Sequence, residues 1–311
     1  MKKRKRNFAP AVAILLIAVL FLPACADNSQ VVWDEIFVQE LNPDAETMQA
    51  LRDSVQNVDI QSTGDDGVTI HVRQTLGDAK SMYIALQVTF PDDLDSAASI
   101  APPLVSEFVS GKVDEKDLTA LSSEALIGKY ARKGAMAGSG SRKCSATQES
   151  AQDNSFLYLI SLNSDEPFIF EKGTATLLIG GFTIVRGDGT GKTYPSVHAI
   201  SWTPTNQATV VERTITTKDE KIAGRVLLSP FSFTGSLYFS GYKEMKDFYR
   251  SIYFIQNDGT EYKPSHSGGG GAFSDNGSVS QSYLFKQPLD LDNIKEIHIG
   301  GYTVNVQDAA E

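Results

Sequence analysis

The stretch "LLIGGFTIV" at residues 177–185 returns as "IHIGGYTVN" at residues 297–305. A second apolar segment precedes each copy, "SFLYLISLNSDEP" in the first case and "SQSYLFKQPLDLD" in the second. A stretch of small residues lies upstream again, "GAMAGSGSRKCSA" and "SGGGGAFSDNGS" respectively. Three matching elements in the same order indicate that the chain contains two copies of one structural unit.

The apolar residues around these copies alternate with polar ones at a period of two. Ile84, Leu86, Val88 and Phe90 do so in "YIALQVTF", and "FLYLISL", "SIYFIQ" and "KEIHIGGYTVNV" are similar apolar runs. Short apolar runs separated by Gly, Pro, Asn and Asp are typical of antiparallel strands. The sequence therefore predicts an all-β protein.

Duplication and strand pattern together predict two tandem antiparallel β-sandwiches. The boundary falls in "SWTPTNQAT", where Pro204 interrupts the run of strands. The first sandwich is expected over residues 59–206 and the second over residues 207–311. The first copy is longer because of an insertion near residues 91–129. Such insertions form loops or small subdomains, and loops carry binding residues more often than sheets do.

One segment before the strands has a helical pattern, "VVWDEIFVQELNPDAETMQALRDSVQNV". Asn42 and Pro43 match an N-cap followed by a first helical turn. Apolar positions downstream fall on one helical stripe, including Met48 and Leu51. Residues 25–58 are therefore expected to form a linker with a short helical stalk.

The first 24 residues have the pattern of a secretory signal peptide. The basic start "MKKRKRN" precedes the apolar run "FAPAVAILLIAVLFLPA", which ends in small residues. Leu22, Pro23 and Ala24 before Cys25 resemble the lipobox of bacterial lipoproteins, in which the cysteine after the cut is lipidated. The resemblance implies a protein anchored to the cell membrane by a palmitate-type lipid on Cys25, facing outward. A cleaved secretory peptide and an uncleaved signal anchor are the alternatives.

The charge balance excludes one class of partner. The chain has 28 basic and 38 acidic residues and a formal net charge of −10. Loss of residues 1–24 removes five basic and no acidic residues, which brings the charge to −15. A surface this acidic repels phosphate backbones, so no nucleic-acid partner is expected.

Several segments resemble a known group of envelope proteins. "DDGVTIHVRQTLGDAKSMYIALQVTF" is similar to the opening strands of extracytoplasmic domains on Gram-positive proteins that resemble anti-sigma factors. "RVLLSPFSFTGSLYF", "FIQNDGTEY" and "LDLDNIKEIHIGGYTV" resemble the immunoglobulin-like module that follows in those proteins. The resemblance implies an immunoglobulin-like fold for both sandwiches. A lipid anchor in place of a cytoplasmic domain argues against direct contact with a sigma factor.

Residues that carry chemistry are sparse. The four histidines are not spaced as metal ligands, and His71 and His298 occupy polar positions of strands, where they are expected to face solvent. Ser141 ends a Gly-rich stretch, where a nucleophile elbow does not form. Cys144 is the only cysteine besides Cys25 and is expected in a polar loop. We therefore predict no catalytic residue, no metal site and no cofactor.

Two glycine-containing stretches invite functional interpretations. "TIVRGDGTGKTYPSV" at residues 183–197 contains Arg-Gly-Asp, but the Asp-Gly pair favours a tight turn between strands. It also ends like a phosphate-binding loop, although Arg186 stands where that loop needs its first glycine. The four glycines 268–271 in "SHSGGGGAFSDNGS" are expected to form a flexible hairpin loop, with close approach to a ligand as the alternative.

The sequence as a whole favours a non-catalytic binding or sensing protein of the cell envelope, with an envelope protein or polysaccharide as its partner. A carbohydrate-binding or wall-binding module is the alternative, because the second copy is rich in aromatic residues. Alternation indicates that most of these residues are core, and they are Tyr238, Phe239, Tyr242, Phe248, Tyr249, Tyr253 and Phe254. A hydrolase with a non-standard carboxylate site is the third hypothesis.

Overall fold

The computed structural model describes residues 32–94, 97–130, 142–150, 154–163, 168, 173–205, 210–216, 222–238, 252–263, 265–273, 278–299 and 302–306. The predicted signal peptide and the lipobox with Cys25 lie outside these residues. Residues Trp33–Glu311 cluster into one unit and residues Met1–Val32 into another. In the described part of the chain, no helix is both long enough and apolar enough to span a membrane.

Most of the described chain is strand. The first half contains β1 (Val55–Thr63), β2 (Thr69–Gly77), β3 (Ser81–Thr89), β4 (Ser99–Ile100), β5 (Val105–Ser110), β6 (Arg142–Ser150), β7 (Ser155–Asn163), β8 (Ala175–Val185) and β9 (Gly191–Trp202). The second half contains β10 (Val211–Thr216), β11 (Ile222–Leu228), β12 (Ser232–Tyr238), β13 (Tyr253–Gln256), β14 (Glu261–Tyr262), β15 (His266–Phe273), β16 (Ser278–Phe285), β17 (Ile294–Ile299) and β18 (Tyr302–Asn305). All of their pairings are antiparallel, which confirms the all-β prediction.

Short helices occupy the remaining regular segments. α1 (Glu35–Leu41) and α2 (Ala45–Ala50) precede β1, with a 3-10 turn at Arg52–Ser54. α3 (Glu115–Ala120) and α4 (Ser123–Tyr130) follow β5. A second 3-10 turn, Leu291–Asn293, leads into β17.

Two helices replace the single helix predicted before the strands. The prediction of Asn42 as an N-cap was wrong, because Asn42 ends α1 with φ 42° and ψ 50°. Asparagine tolerates this left-handed conformation better than most residues, and Pro43 disfavours the right-handed helix at the residue before it. Asp44 is the actual cap of α2, since its Oδ1 accepts from the Thr47 backbone N–H at 2.7 Å.

Two sheets in the first half share one hydrophobic cluster. The first sheet has the order β1-β2-β3-β7-β6, and the second sheet pairs β8 with β9 on one edge and with β4 and β5 on the other. Ile84 and Ile160 of the first sheet lie in the same cluster as Ile179 and Ile200 of the second. Phe90 contacts the rings of Phe156 and Phe182 edge-on, with 6.1 and 6.2 Å between centroids.

The predicted insertion at residues 91–129 is partly sheet. β5 lies inside it and pairs along β8 from Val105 opposite Gly180 to Ser110 opposite Ala175. The rest includes α3 and α4, and the buried Leu126 of α4 packs on Val105 and Leu178. The segment is therefore a strand of the second sheet followed by a helical cover.

The strand order of the first half recurs in the second. The third sheet has the order β10-β11-β12-β16-β15, and the fourth has the order β14-β13-β17-β18. By this order β17 and β18 correspond to β8 and β9, and β13 corresponds to β5. Buried residues of both sheets again share one cluster, with Val226 and Phe233 from the third sheet and Phe254 and Ile297 from the fourth.

The N-terminal helices pack on the outer face of the first sheet. Ile36 and Phe37 of α1 are fully buried against Tyr83 and Leu157 of that sheet. The same cluster reaches Phe231 in the second half. β3 therefore buries side chains on both faces, and the segment predicted as a stalk belongs to the folded body from Trp33 onward.

Equivalent hairpins of the two halves contact each other. One hairpin joins β2 to β3 through the turn 78–81, and the other joins β11 to β12 through the turn 229–232. In each turn the backbone N–H of the first residue donates to the carbonyl of the fourth at 2.8 Å, from Asp78 to Ser81 and from Ser229 to Ser232. In each, the first side chain also accepts from the backbone N–H groups of the third and fourth residues. The two fourth residues meet directly, because Ser81 Oγ donates to Ser232 Oγ at 2.7 Å.

The flanking contacts between these hairpins are reciprocal. Lys80 Nζ donates to Thr234 Oγ1 at 2.9 Å, and the ring of Phe231 lies 5.6 Å from that of Tyr83. Lys80 corresponds to Phe231 in the two hairpins, and Tyr83 corresponds to Thr234. Reciprocal pairs of this kind define a two-fold arrangement, so the hairpins meet around a local pseudo-two-fold axis.

Candidate functional site

A cleft of about 400 Å³ lies between the N-terminal helices and the second half. One wall consists of residues 42–44, 46 and 47, where the chain passes from α1 to α2. The other wall consists of Gln256 and Tyr262 from β13 and β14 and of residues 287–290, 293 and 294. This volume falls within the range of small-molecule sites.

Local backbone chemistry holds both walls. The turn at Asn42 and the cap at Asp44 fix the first wall. Asp290 fixes the second, since its Oδ1 accepts from the Asp292 backbone N–H at 3.0 Å and caps the 3-10 turn. Gln287 joins the walls by donating from Nε2 to the Asn42 carbonyl at 3.1 Å. The cleft is therefore built by turns and caps at its rim.

The lining is acidic and rich in amides. The described residues of the lining include the carboxylates of Asp44, Glu46 and Asp290 but no lysine, arginine or histidine. The backbone N–H of Thr47 holds the pKa of Asp44 below its usual value, so this carboxylate stays charged well into the acid range. Such a lining repels anions and favours neutral or cationic ligands.

Polar groups of the lining remain available to a ligand. The Glu46 carboxylate, the Gln256 amide and the Tyr262 hydroxyl make no hydrogen bond within the described residues. Tyr262 is half-buried and stacked on Phe254 at 6.5 Å between centroids, and burial raises the pKa of its hydroxyl. Stacking on Phe254 therefore holds the Tyr262 ring in place, and the raised pKa keeps its hydroxyl group uncharged.

The carboxylates do not form a metal centre. Across the described ranges, no group of three or more His, Cys, Asp or Glu side chains is arranged to hold a metal ion. The cleft therefore offers dispersed hydrogen-bonding groups to a ligand of several atoms.

The two histidines that were predicted to face solvent, His71 and His298, are only partly exposed. The His71 side chain is 23% exposed and its Nε2 lies 2.7 Å from Asp59 Oδ1. The His298 side chain is 26% exposed, lies 3.1 Å from Glu296 Oε2 and stacks on Tyr253 at 4.7 Å. His266 lies in β15.

His198 is buried beside a serine, a pair that the sequence does not reveal. Ser62 Oγ lies 2.9 Å from His198 Nδ1, and burial lowers the pKa of the imidazole. His198 Nε2 has no hydrogen-bond partner among the described residues. Asp66 accepts from the Ser196 backbone N–H at 2.9 Å rather than from the ring. The three side chains therefore do not form a Ser-His-Asp relay.

Two segments predicted as loops are edge strands. Cys144 lies in β6 opposite Ile160, and the glycines 268–271 lie in β15 opposite β16. Strand pairing supplies hydrogen bonds that do not depend on side chains, which is why small-residue composition misled the prediction. Ser141 lies outside the described residues.

The Arg-Gly-Asp stretch is the turn of the β8–β9 hairpin, as predicted. The Arg186 N–H donates to the Thr190 carbonyl at 2.8 Å, and Gly189 has φ +83°. The segment with Asp258-Gly259 repeats these bonds between β13 and β14, with φ +85° at Gly259. The second turn joins a different pair of strands, so this turn chemistry occurs at two places in the topology.

The aromatic residues predicted as core are described only in part. Phe254 is fully buried and Tyr253 is half-buried. Phe239, Tyr242, Phe248 and Tyr249 lie outside the described residues, and the side chain of Tyr238 is not described. Tyr262, which lines the cleft, was not among the predicted residues. Tyr262 lies in β14, which has only two residues and is therefore too short to show an alternating pattern.

No protein-family model matches the chain, and no curated protein sequence matches it. One similar solved structure is described as the crystal structure of the conserved domain protein from Bacillus anthracis. It is 14% identical with a TM-score of 0.48, and the match covers 86% of this chain and 86% of that chain.

Proposed function

We propose that the chain is a non-catalytic binding or sensing protein of the cell envelope. It is held to the outer face of the membrane through a lipid on Cys25. Its body consists of two tandem immunoglobulin-like sandwiches, in line with the repeated strand order of the two halves. The resemblance to extracytoplasmic domains of anti-sigma-factor-like proteins supports the same assignment.

The cleft is the observation that carries this proposal. One of its walls, residues 42–47, follows the predicted anchor by fewer than twenty residues. The other wall belongs to the second half, at residues 256–294. A ligand in the cleft would contact both the N-terminal helical segment and the second half of the chain. A site built from two distant parts of the chain suits a protein that binds or senses a ligand.

Lipidation is tested by metabolic labelling with palmitate. The wild-type protein and the Cys144→Ala variant are expected to take up label and to remain with the membrane fraction. Cys25→Ala is expected to lose both properties. Continued labelling of Cys25→Ala would exclude the anchor, because Cys144 would then be the only other acceptor thiol.

Binding at the cleft is tested by photo-crosslinking in intact cells. A photoreactive residue at Asn293, on the rim of the cleft, is expected to give a discrete adduct with envelope material. The same residue at Gln61, an exposed position of β1, serves as the matched control. Equal adducts from both positions, or none from Asn293, would argue against the cleft as the binding site.

A carbohydrate-binding or wall-binding module is the second candidate. The amide side chains of the lining and the fixed ring of Tyr262 favour it, because sites for polar ligands combine such groups with apolar surface. Saturable sedimentation with purified cell wall distinguishes this candidate from one that binds an envelope protein. A hydrolase with a carboxylate site is the least supported function.

A further inference from the structure

We infer that the cleft selects an amine-bearing saccharide, that is, a sugar unit with hydroxyl groups and a protonated amine. The inference rests on the proposed function and names the ligand class of the same site. It follows from the charge of the lining, the spread of its carboxylates and the apolar surface between them.

Charge gives the first step. Among the lining residues that the structure describes are the carboxylates of Asp44, Glu46 and Asp290 and no cationic side chain to balance them. Asp44 and Asp290 accept cap hydrogen bonds at 2.7 and 3.0 Å, and Asp44 also accepts from the Thr47 side chain, whereas the Glu46 carboxylate makes no hydrogen bond within the described residues. A protonated amine is the ligand group that these oxygens favour, since charge-assisted hydrogen bonds are the stronger ones.

The arrangement of the carboxylates gives the second step. A bare cation requires several oxygen ligands at one point. No such grouping of three acidic, histidine or cysteine side chains occurs in the parts of the chain that the structure describes. The acidic groups stand on both walls, so the ligand is a molecule long enough to reach from one wall to the other.

The uncharged part of the lining gives the third step. Gln256 and Asn293 offer both donors and acceptors, which matches hydroxyl groups that also do both. Pro288, Leu289 and the stacked ring of Tyr262 add apolar surface beside them. A sugar ring presents hydroxyl groups and an apolar C–H face together, whereas a simple polyamine offers no hydroxyl groups.

The inference is tested with two oligosaccharides that differ in one group. Oligomers of N-acetylglucosamine and of glucosamine, matched in length, are titrated calorimetrically against the full chain in mildly acidic buffer. The glucosamine oligomer is expected to bind about tenfold more tightly, because only its amine is charged. Glu46→Gln is expected to remove about that factor, while Glu107→Gln in β5, distant in the topology, leaves affinity unchanged.

The outcomes separate the inference from the proposed function. Equal affinity for both oligomers, or tighter binding of spermidine than of glucosamine oligomers, overturns the amino-sugar assignment. Wall or protein binding that survives Glu46→Gln and Tyr262→Ala overturns it too, but leaves an envelope-binding function standing. Lack of any photo-crosslinked adduct at Asn293 in cells argues against the cleft as the binding site, which is the observation that carries the proposed function. Unfolding midpoints of each variant confirm that a lost affinity is not a lost fold.

Discussion

At the scale of single residues, Asp78 has the most unusual surroundings. Its Oδ1 accepts from the backbone N–H groups of Lys80 and Ser81 at 2.6 and 2.8 Å, whereas its buried Oδ2 has no hydrogen-bond partner among the described residues. Burial raises its pKa from 3.8 to about 6. The other titratable groups that face it are Lys80 and Tyr83. Asp78 therefore keeps its proton to a higher pH in the folded chain.

Replacement of Asp78 by asparagine tests this burial. A folded-state pKa above the unfolded value gives stability that is present below about pH 4 and lost as pH rises through about 6. Asp78→Asn keeps the Oδ1 acceptor but cannot ionise. Its free energy of unfolding, relative to wild type, is expected to rise by about 3 kcal/mol between about pH 4 and pH 7. Chemical denaturation across that range measures the change.

Asp258 provides a control of opposite sign. The backbone N–H of Thr260 holds the pKa of this exposed carboxylate below its usual value, so its contribution is lost as pH falls. Asp258→Asn should therefore lose stability relative to wild type as pH rises from the acid range. Parallel pH curves for Asp78→Asn and wild type would show that Asp78 is not buried as described.

At the scale of elements, a Gly-Gly pair interrupts the regular pairing of β8 with β9. In the first half, Gly180 and Gly181 lie inside β8, where the register shifts from Gly180 opposite Val197 to Phe182 opposite Tyr194. Gly181 takes φ +69° at this bulge. In the second half, β17 and β18 pair with Ile299 opposite Tyr302, and the equivalent glycines lie outside the described residues.

Alanine at Gly180 is expected to disrupt the bulge. A Cβ there would lie 2.1 Å from the Ser196 carbonyl oxygen and 2.7 Å from the Val197 Cα, both backbone atoms that side-chain rotation cannot relieve. Gly180→Ala should cost about 3 kcal/mol in the free energy of unfolding. Gly191→Ala, whose Cβ has no neighbour nearer than 3.7 Å, should change it by less than about 0.5 kcal/mol. Urea denaturation of both variants tests this, and equal midpoints would contradict the bulge.

The bulge marks how far the sequence predicts an element. Strand type was predictable because period-two alternation is local. The bulge at Gly180 and Gly181 was not, because the backbone freedom of glycine suits a bulge and a turn equally well. The strands β6 and β15 were missed for a related reason, since neighbouring strands hold them despite their small residues.

At the scale of the whole molecule, the two halves contact each other through equivalent hairpins. Ser81 meets Ser232, and Phe231 packs on Tyr83 and in the same cluster as α1. Phe231 is fully buried. The N-terminal helix, the first sheet and the second half therefore share one apolar contact region.

Phe231 is expected to couple the stability of both halves. Phe231→Ala should cost about 3–5 kcal/mol and speed amide hydrogen exchange in α1 and β3 as well as in β11 and β12. Phe254→Ala removes an equally buried ring from the core of the second half and should speed exchange there only. Hydrogen exchange read by mass spectrometry compares the two variants. If Phe231→Ala speeds amide hydrogen exchange in the second half only, the coupling between the halves would be contradicted.

The sequence by itself determined most of the strands, the turn at Asp188-Gly189 and the repeated order of elements, because alternation and turn chemistry act between neighbours along the chain. Only the tertiary structure decided the burial of His198 against Ser62, the meeting of the two hairpins and the cleft. Each of these joins residues more than 100 positions apart. The cleft arises where residues 42–47 meet residues 256–294. The local motifs in these segments do not reveal the site, since their polar side chains become one site only when the fold brings the walls together.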